Sequence, residues 1–172
     1  ADVLKIEPSS GAVSRSMGPF SPDGTSLYFA YRNLNKRSTS IDFDTTEGID
    51  DLVTLIKQSD VLIETFLAGT LAELGISPEL LLSENPSLII VSLTDFGQTG
   101  PDSSFVGTDE VVFARSGWLS VSGVIDKPPL LAPGSISYDT LGIVGAYATL
   151  LGILHRDRNG TGQHIDVSAV EA

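Results

Sequence analysis

The chain has 172 residues, of which 41% are hydrophobic, enough to bury a core of domain size. Its 22 acidic residues outweigh 10 basic ones to give a net charge of −12, which argues against the clustered Lys and Arg that a nucleic-acid partner requires. No cysteine is present, so disulfides, Cys-bound metals and thiol nucleophiles are excluded.

The first residue is Ala1 and a strand-like run follows at once, so the sequence reads as one domain cut from a longer chain. Residues 3–7 alternate weakly and are stopped by Pro8-Ser9-Ser10-Gly11, which predicts a short strand and a loop. Arg15 falls in that loop, and residues 26–32 read as a helix. Asn35-Lys36-Arg37-Ser38 is a basic turn able to face phosphate, ahead of a strand over 39–43 that contains Ile41. Asp44 is placed to cap the next helix, with Glu47 reaching back to it. Ile49, Leu52, Val53 and Ile56 then recur at i, i+3, i+4 and i+7 and mark its buried face. Val61-Leu62-Ile63 reads as a short buried strand ending at Glu64, with Thr65 and Phe66 next.

A short helix is predicted from Thr70 to the stop at Gly75, and another starts at Pro78. Residues 88–93 are almost continuously apolar, as a strand covered on both faces requires. This alternation of strands and helices predicts an open, mainly parallel α/β sheet, Rossmann-like, with helices on both faces. Residues 111–114 should form a helix ending near Ser116-Gly117, and residues 118–133, rich in Gly and Pro, an irregular connection.

The apolar run 141–154, with Gly142, Gly145 and Gly152 on it, predicts a helix buried around most of its circumference. It is shorter than the ~20 residues of a membrane span, which points to a soluble, cytoplasmic protein without a membrane partner. Asp139 stands at its start, where an ordinary N-cap is the plain reading and the peptide dipoles favour the ionised form. The turn His155-Arg156-Asp157-Arg158-Asn159-Gly160-Thr161-Gly162-Gln163 leads into a strand that begins at His164. The two histidines fit a helix C-terminal cation and a strand surface better than a metal site. No Gly-x-Ser-x-Gly or Walker loop occurs, and Gly160-Thr161-Gly162 lacks the third glycine of a dinucleotide fingerprint.

An Asp ahead of a Gly-bearing apolar helix, then His-Arg-x-Arg-x-Gly-x-Gly-Gln and the strand His164-Ile165-Asp166-Val167-Ser168, resembles the family III coenzyme A transferases, the CaiB/BaiF family. The opening strand, Asn35-Lys36-Arg37-Ser38 and the turn Phe96-Gly97-Gln98-Thr99-Gly100-Pro101 extend the resemblance over nearly all of the chain. It implies that residues 1–172 are part of the family's large domain, from a full-length protein that forms an interlocked homodimer. It also implies a CoA transferase acting on an acyl-CoA and a small carboxylic acid without a metal, with Asp139 as the nucleophile. A carboxylate suits an activated thioester, and backbone N–H groups at the helix start would stabilise the oxyanion. CoA contacts implied by the same resemblance are Arg15, Lys36, Arg37, Ile41, Thr65 and Phe66, with Ile41 and Phe66 embracing the adenine.

The chain departs from the family pattern where Asp44, Leu67 and Glu73 stand at positions that commonly carry cations, and where Glu-Asn-Phe has become Glu64-Thr65-Phe66. Two alternatives therefore stand beside the transferase. One is an α-methylacyl-CoA racemase or epimerase, ranked lower because Thr108 replaces the His of that branch and cannot exchange a proton near neutral pH. The other is a degenerate, non-catalytic CoA-transferase-like subunit.

Overall fold

The computed structural model describes residues 1–172, and every strand pair in it is parallel. Where the sequence suggests one domain, the chain divides into two compact units, Ala1–Leu55 and Ile56–Ala172.

In the first unit β1 (Leu4–Glu7) pairs with β2 (Arg37–Ser40), joined by a 3-10 turn (Val13–Ser16) and helix α1 (Leu27–Arg32). Ser26 caps α1 by accepting the Phe29 N–H at 3.1 Å. β2 begins earlier than the expected 39–43 and ends earlier too. The pairing starts at Leu4↔Arg37, and past Ile41 the Asp42 carboxylate turns the chain by accepting the Asp44 N–H at 3.1 Å. Asp44 therefore does not cap α2 (Thr46–Lys57). That role falls to Thr45, whose hydroxyl accepts the Gly48 N–H. The heptad-like apolar face of α2 is buried at Leu52 and Ile56, as its spacing predicts.

The last residue of β1 carries a charged clamp. Glu7 is only 4% exposed, and its carboxylate takes a forked pair of bonds from Arg15 at 2.7 and 2.8 Å and the Ala12 N–H at 2.9 Å. The Arg15 guanidinium also lies 4.0 Å from the centre of the Phe29 ring. Arg15's bonds, opposed by burial, hold the Glu7 pKa down from 4.5 to about 2. Because this pKa is depressed in the folded protein, the stabilisation is complete above 4.5 and is lost as pH falls through about 2. Because Arg15 is half-exposed and the pair is partly screened by solvent, its full size is ~1 to 3 kcal/mol. Replacing Arg15 with Met should cost ~1 to 3 kcal/mol at pH 7, because a buried carboxylate loses its half-exposed cation. Urea midpoints measured from pH 7 to pH 2 should show the parent losing stability in acid and the variant losing much less.

In the second unit β3 (Val61–Glu64), β4 (Ile89–Thr94) and β5 (Gln163–Ser168) form a parallel sheet in that order. Leu88, Ile89, Ile90 and Val91 are fully buried, so β4 is covered on both faces as its composition predicts. β3 lies at the edge and leaves Ile63 exposed, against the expectation of a buried strand. Short helices α3 (Thr70–Glu73) and α4 (Pro78–Glu84) connect β3 to β4. Helix α5 (Asp109–Arg115), a 3-10 turn (Trp118–Val121) and the long α6 (Ile136–Asn159) connect β4 to β5. A core cluster of Val112, Leu141 and Ala169 holds α5, α6 and the end of β5 together.

Helix α6 corrects two expectations. It runs for 24 residues, long and apolar enough to cross a membrane, and its buried residues are confined to Ser137, Leu141, Gly145 and Gly152. These fall on one stripe, and the helix docks through it: a Cβ on Gly145 would lie 2.7 Å from Leu93, and one on Gly152 would lie 2.9 Å from Ile89 and Ile165. Ile143, Tyr147 and Leu150 on the outer face are more than 60% exposed. The apolar composition thus reflects two different faces, a docked one and an outer one, rather than burial all round. Gly160 closes α6 in the left-handed conformation at φ 77°, its N–H bonding to the Arg156 carbonyl at 2.7 Å.

Candidate active site

The chain leaves β3 and β4 at the same end of the sheet, and there the second unit encloses a cavity of about 370 Å³. Thr65, Phe66 and Leu67 come from the end of β3, Leu93 to Phe96 from the end of β4, and Tyr138, Leu141 and Gly142 from the first turns of α6. Ligand crevices of open α/β sheets form beyond the strand ends in the same way. No Lys, Arg or His lines this one; its ionisable residues are Asp95 and Tyr138. The Asp95 carboxylate accepts the Gly107 N–H at 2.7 Å, and the Tyr138 hydroxyl donates to the Gly107 carbonyl at 3.4 Å. Burial, then the charge of Asp95, pushes the Tyr138 pKa up to about 12, so Tyr138 stays a neutral phenol at physiological pH.

Asp139 follows Tyr138 in the first turn of α6 and is half-buried. It is not the N-cap expected from its position. Ser135 holds that place, and the Asp139 N–H donates to the Ser135 carbonyl at 2.8 Å. The side chain that caps α6 comes from α5. One oxygen of Asp109 accepts the N–H groups of Ser137 at 2.9 Å and Tyr138 at 3.2 Å, and the Ser137 hydroxyl donates to the Asp109 carbonyl. The backbone donors of residues 137–139 are therefore occupied. Asp139 does not itself line the cavity, but its neighbours Tyr138 and Gly142 do, the latter at i+3 on the same helix face.

Of the expected CoA contacts, Thr65 and Phe66 line this cavity and share a unit with Asp139. Arg15, Lys36, Arg37 and Ile41 belong to the first unit, and each is engaged there. Arg15 clamps Glu7, and Arg37 pairs with Asp2 at 2.8 Å, inside a strand rather than a turn. The Lys36 ammonium donates to the Arg32 carbonyl and the Asn33 side chain at 3.0 and 3.1 Å, and burial lowers its pKa. Ile41 is 6% exposed, so its side chain is core and has no face to offer an adenine.

A polar network under the cavity wall was not anticipated from the sequence. Glu64, Ser92 and Asp166 stand side by side on the three strands. Glu64 accepts the Phe66 N–H at 2.7 Å and a long 3.4 Å bond from the Gln98 amide, and it is bonded to Ser92. Ser92 in turn lies 2.8 Å from His164 Nε2, so His164 is part of the network rather than a plain strand surface. Gln98 also donates its backbone N–H to Asp166 and accepts the Gly69 N–H. Burial raises the Glu64 pKa against the opposing bonds from Ser92 and Phe66. By accepting the Phe66 N–H, the second after β3, Glu64 orients the Thr65-Phe66 wall. The signal in the sequence is a polar residue in each of two otherwise apolar runs, Glu64 after Val61-Leu62-Ile63 and Ser92 within residues 88–93. His155, by contrast, is exposed near the C-terminal end of α6, with Asn159 beside its ring.

The whole chain, residues 1–172, matches the family model for CoA-transferase family III. It is 39% identical to a succinate–glutarate CoA-transferase of Agrobacterium fabrum, across 99% of this chain and 44% of that protein. It is 34% identical to a formyl-CoA:oxalate CoA-transferase of Escherichia coli, across 100% of this chain and 42% of that one. A crystal structure of a CaiB/BaiF family protein from Brucella suis superposes with a TM-score of 0.92 at 33% identity, over 99% of this chain and 46% of the other. The chain thus spans less than half the length of these relatives, and the family model, the relatives and the parallel α/β architecture agree: it belongs to the family III CoA-transferases.

Proposed function

We propose that the complete protein carrying this chain moves CoA from an acyl-CoA to a small carboxylic acid by covalent catalysis at Asp139. The observation that carries this reading is a half-buried carboxylate in the first turn of α6, next to two residues that line the cavity beyond β3 and β4. The Asp139 carboxylate attacks the thioester carbonyl, the C–S bond breaks, and an acyl-aspartyl anhydride and CoA thiolate result. The thiolate then attacks the aspartyl carbonyl, releasing the donor acid and leaving an aspartyl-CoA thioester. The acceptor carboxylate repeats the sequence in reverse and leaves as the new acyl-CoA, which regenerates Asp139. The homodimer expected from the resemblance belongs to the same reading, and the exposed apolar face of α6 supports it.

The racemase reading weakens further, because Thr108 is committed to α5: its hydroxyl accepts the Val111 N–H and donates to Glu110. The non-catalytic reading keeps one supporting observation, the internal partners of Arg15, Lys36 and Arg37, which leave the first unit poor in cations for CoA phosphates. Mass spectrometry decides between transferase and non-catalytic subunit. After the complete protein is mixed with acyl-CoA and quenched with hydroxylamine, the peptide containing Asp139 should carry a hydroxamate. No modified carboxylate under conditions of full turnover would reject covalent catalysis at Asp139.

A further inference from the structure

Helix α6 docks on Ile89, Leu93 and Ile165, so strand alternation places Glu64, Ser92, His164 and Asp166 together on the opposite face of the sheet. Ser92 is 1% exposed and Glu64 is 5% exposed. A buried carboxylate is costly, and aliphatic side chains would pack the same face without that penalty. The cluster therefore serves more than packing. Its bonds run in one direction. Glu64 accepts the Phe66 N–H at 2.7 Å, a length that suits an ionised carboxyl, which can only accept. Ser92 gives its one hydroxyl proton to Glu64, so at 2.8 Å its oxygen accepts from His164, whose Nε2 carries the hydrogen. Of the charges around Glu64, that of His164 favours the carboxylate and that of Asp166 disfavours it. Glu79 of α4 is also within electrostatic reach of His164. The other Glu64 oxygen takes the 3.4 Å bond from Gln98, whose side chain also accepts the Gly69 N–H. The bonds thus end on the two loops that carry Thr65-Phe66 and Asp95-Phe96 to the cavity, with His164 at the far end and outside the lining.

We infer that His164 is a positioning residue: by donating through Nε2 it points the Ser92 hydroxyl at Glu64, which then holds the Phe66 N–H and sets the Thr65-Phe66 wall for CoA. The inference rests on the reading of that wall as a CoA contact. In the complete protein, His164→Leu and Ser92→Ala should each weaken CoA by ~5-fold or more in a calorimetric titration. Each should raise KM for an acyl-CoA to match while kcat stays within ~2-fold of the parent. The double variant should bind no more weakly than Ser92→Ala alone, because His164 acts through that hydroxyl. His164→Gln, whose amide nitrogen donates from the Nε2 position, should regain most of the affinity, which a loss of packing alone would not allow. Hydrogen exchange in the protein without CoA should show the Phe66 amide exchanging ~5-fold faster or more in both single variants, with the amides of β4 unchanged as the check on overall stability. Additive losses, no recovery in His164→Gln, a fall in kcat with KM unchanged, or unaltered Phe66 exchange in His164→Leu would overturn the inference. Failure of the CoA reading shows elsewhere, as an unchanged CoA affinity in Phe66→Ala, and the exchange result still decides the role of His164.

Discussion

Asp139→Asn in the complete protein should lower kcat by at least ~10³-fold while leaving the affinity for acyl-CoA within a few-fold of the parent. The amide is nearly isosteric with the carboxylate but cannot form the anhydride, so the loss falls on chemistry rather than on binding. The helix should scarcely notice. A carboxylate in the first turn of a helix contributes ~0.3 to 1 kcal/mol through the dipole, and the cap supplied by Asp109 is untouched. A thermal midpoint within a few degrees of the parent therefore accompanies the kinetic loss. Asp139→Glu separates position from charge: it restores the carboxylate but moves it by one methylene, and a near-attack geometry tolerates little displacement. It should recover only a small part of the activity. If Asp139→Asn keeps kcat within tenfold, Asp139 is not the nucleophile. The half-buried carboxylate would then serve the start of α6 rather than the chemistry.

Features set by local periodicity were legible in the sequence. The unbroken apolar run 88–93 became the fully covered central strand β4, and the i, i+3, i+4, i+7 spacing of Ile49, Leu52, Val53 and Ile56 gave the packed face of α2. Features decided by tertiary contact were not. α6 is apolar on nearly every side, so its composition carries no phase. Its docked stripe is chosen by Gly145 and Gly152, where the sheet comes closest. Caps were misassigned for a related reason. Thr45 outcompetes Asp44 because the Asp42 carboxylate turns the chain first, and Asp109 reaches α6 from 28 residues away.

At the candidate site the residue types were read from the motif, but their partners were not. Arg15 looks like any loop cation until β1 places Glu7 beneath it. Glu64, Ser92 and His164 sit on three separate strands, and their register decides that they meet. The position of Asp139 relative to the cavity was likewise open, because one residue along a helix rotates a side chain by about 100°. That rotation is why Tyr138 lines the cavity and Asp139 does not.

The second large effect is expected at Gly162, in the turn that carries the family-like motif into β5. Its conformation does not require glycine, since its φ is not in the left-handed region. Proximity does. A Cβ on Gly162 would lie 1.9 Å from the Leu88 carbonyl oxygen and 2.7 Å from the Leu88 nitrogen, against backbone that cannot rotate away. The Gly162 N–H bonds to the Pro86 carbonyl at 2.7 Å, and the Gln163 N–H bonds to the Leu88 carbonyl at 3.1 Å. Gly162→Ala must push the start of β5 off β4 and strain both bonds, beside a Leu88 side chain that is fully buried. Overpacking of ~1 to 3 kcal/mol and two weakened hydrogen bonds of ~1 kcal/mol each give a loss of ~3 to 5 kcal/mol. That is a large fraction of the ~5–15 kcal/mol that holds a typical domain. Gly160→Ala is the control two residues away. It has a left-handed φ of 77° but nothing within 4 Å of its Cβ, so it should cost only ~1 to 2 kcal/mol. Urea unfolding of the complete protein should rank Gly162→Ala well below Gly160→Ala. The reverse order would mean that backbone conformation, and not the approach of the turn to Leu88, fixes the glycines of this motif.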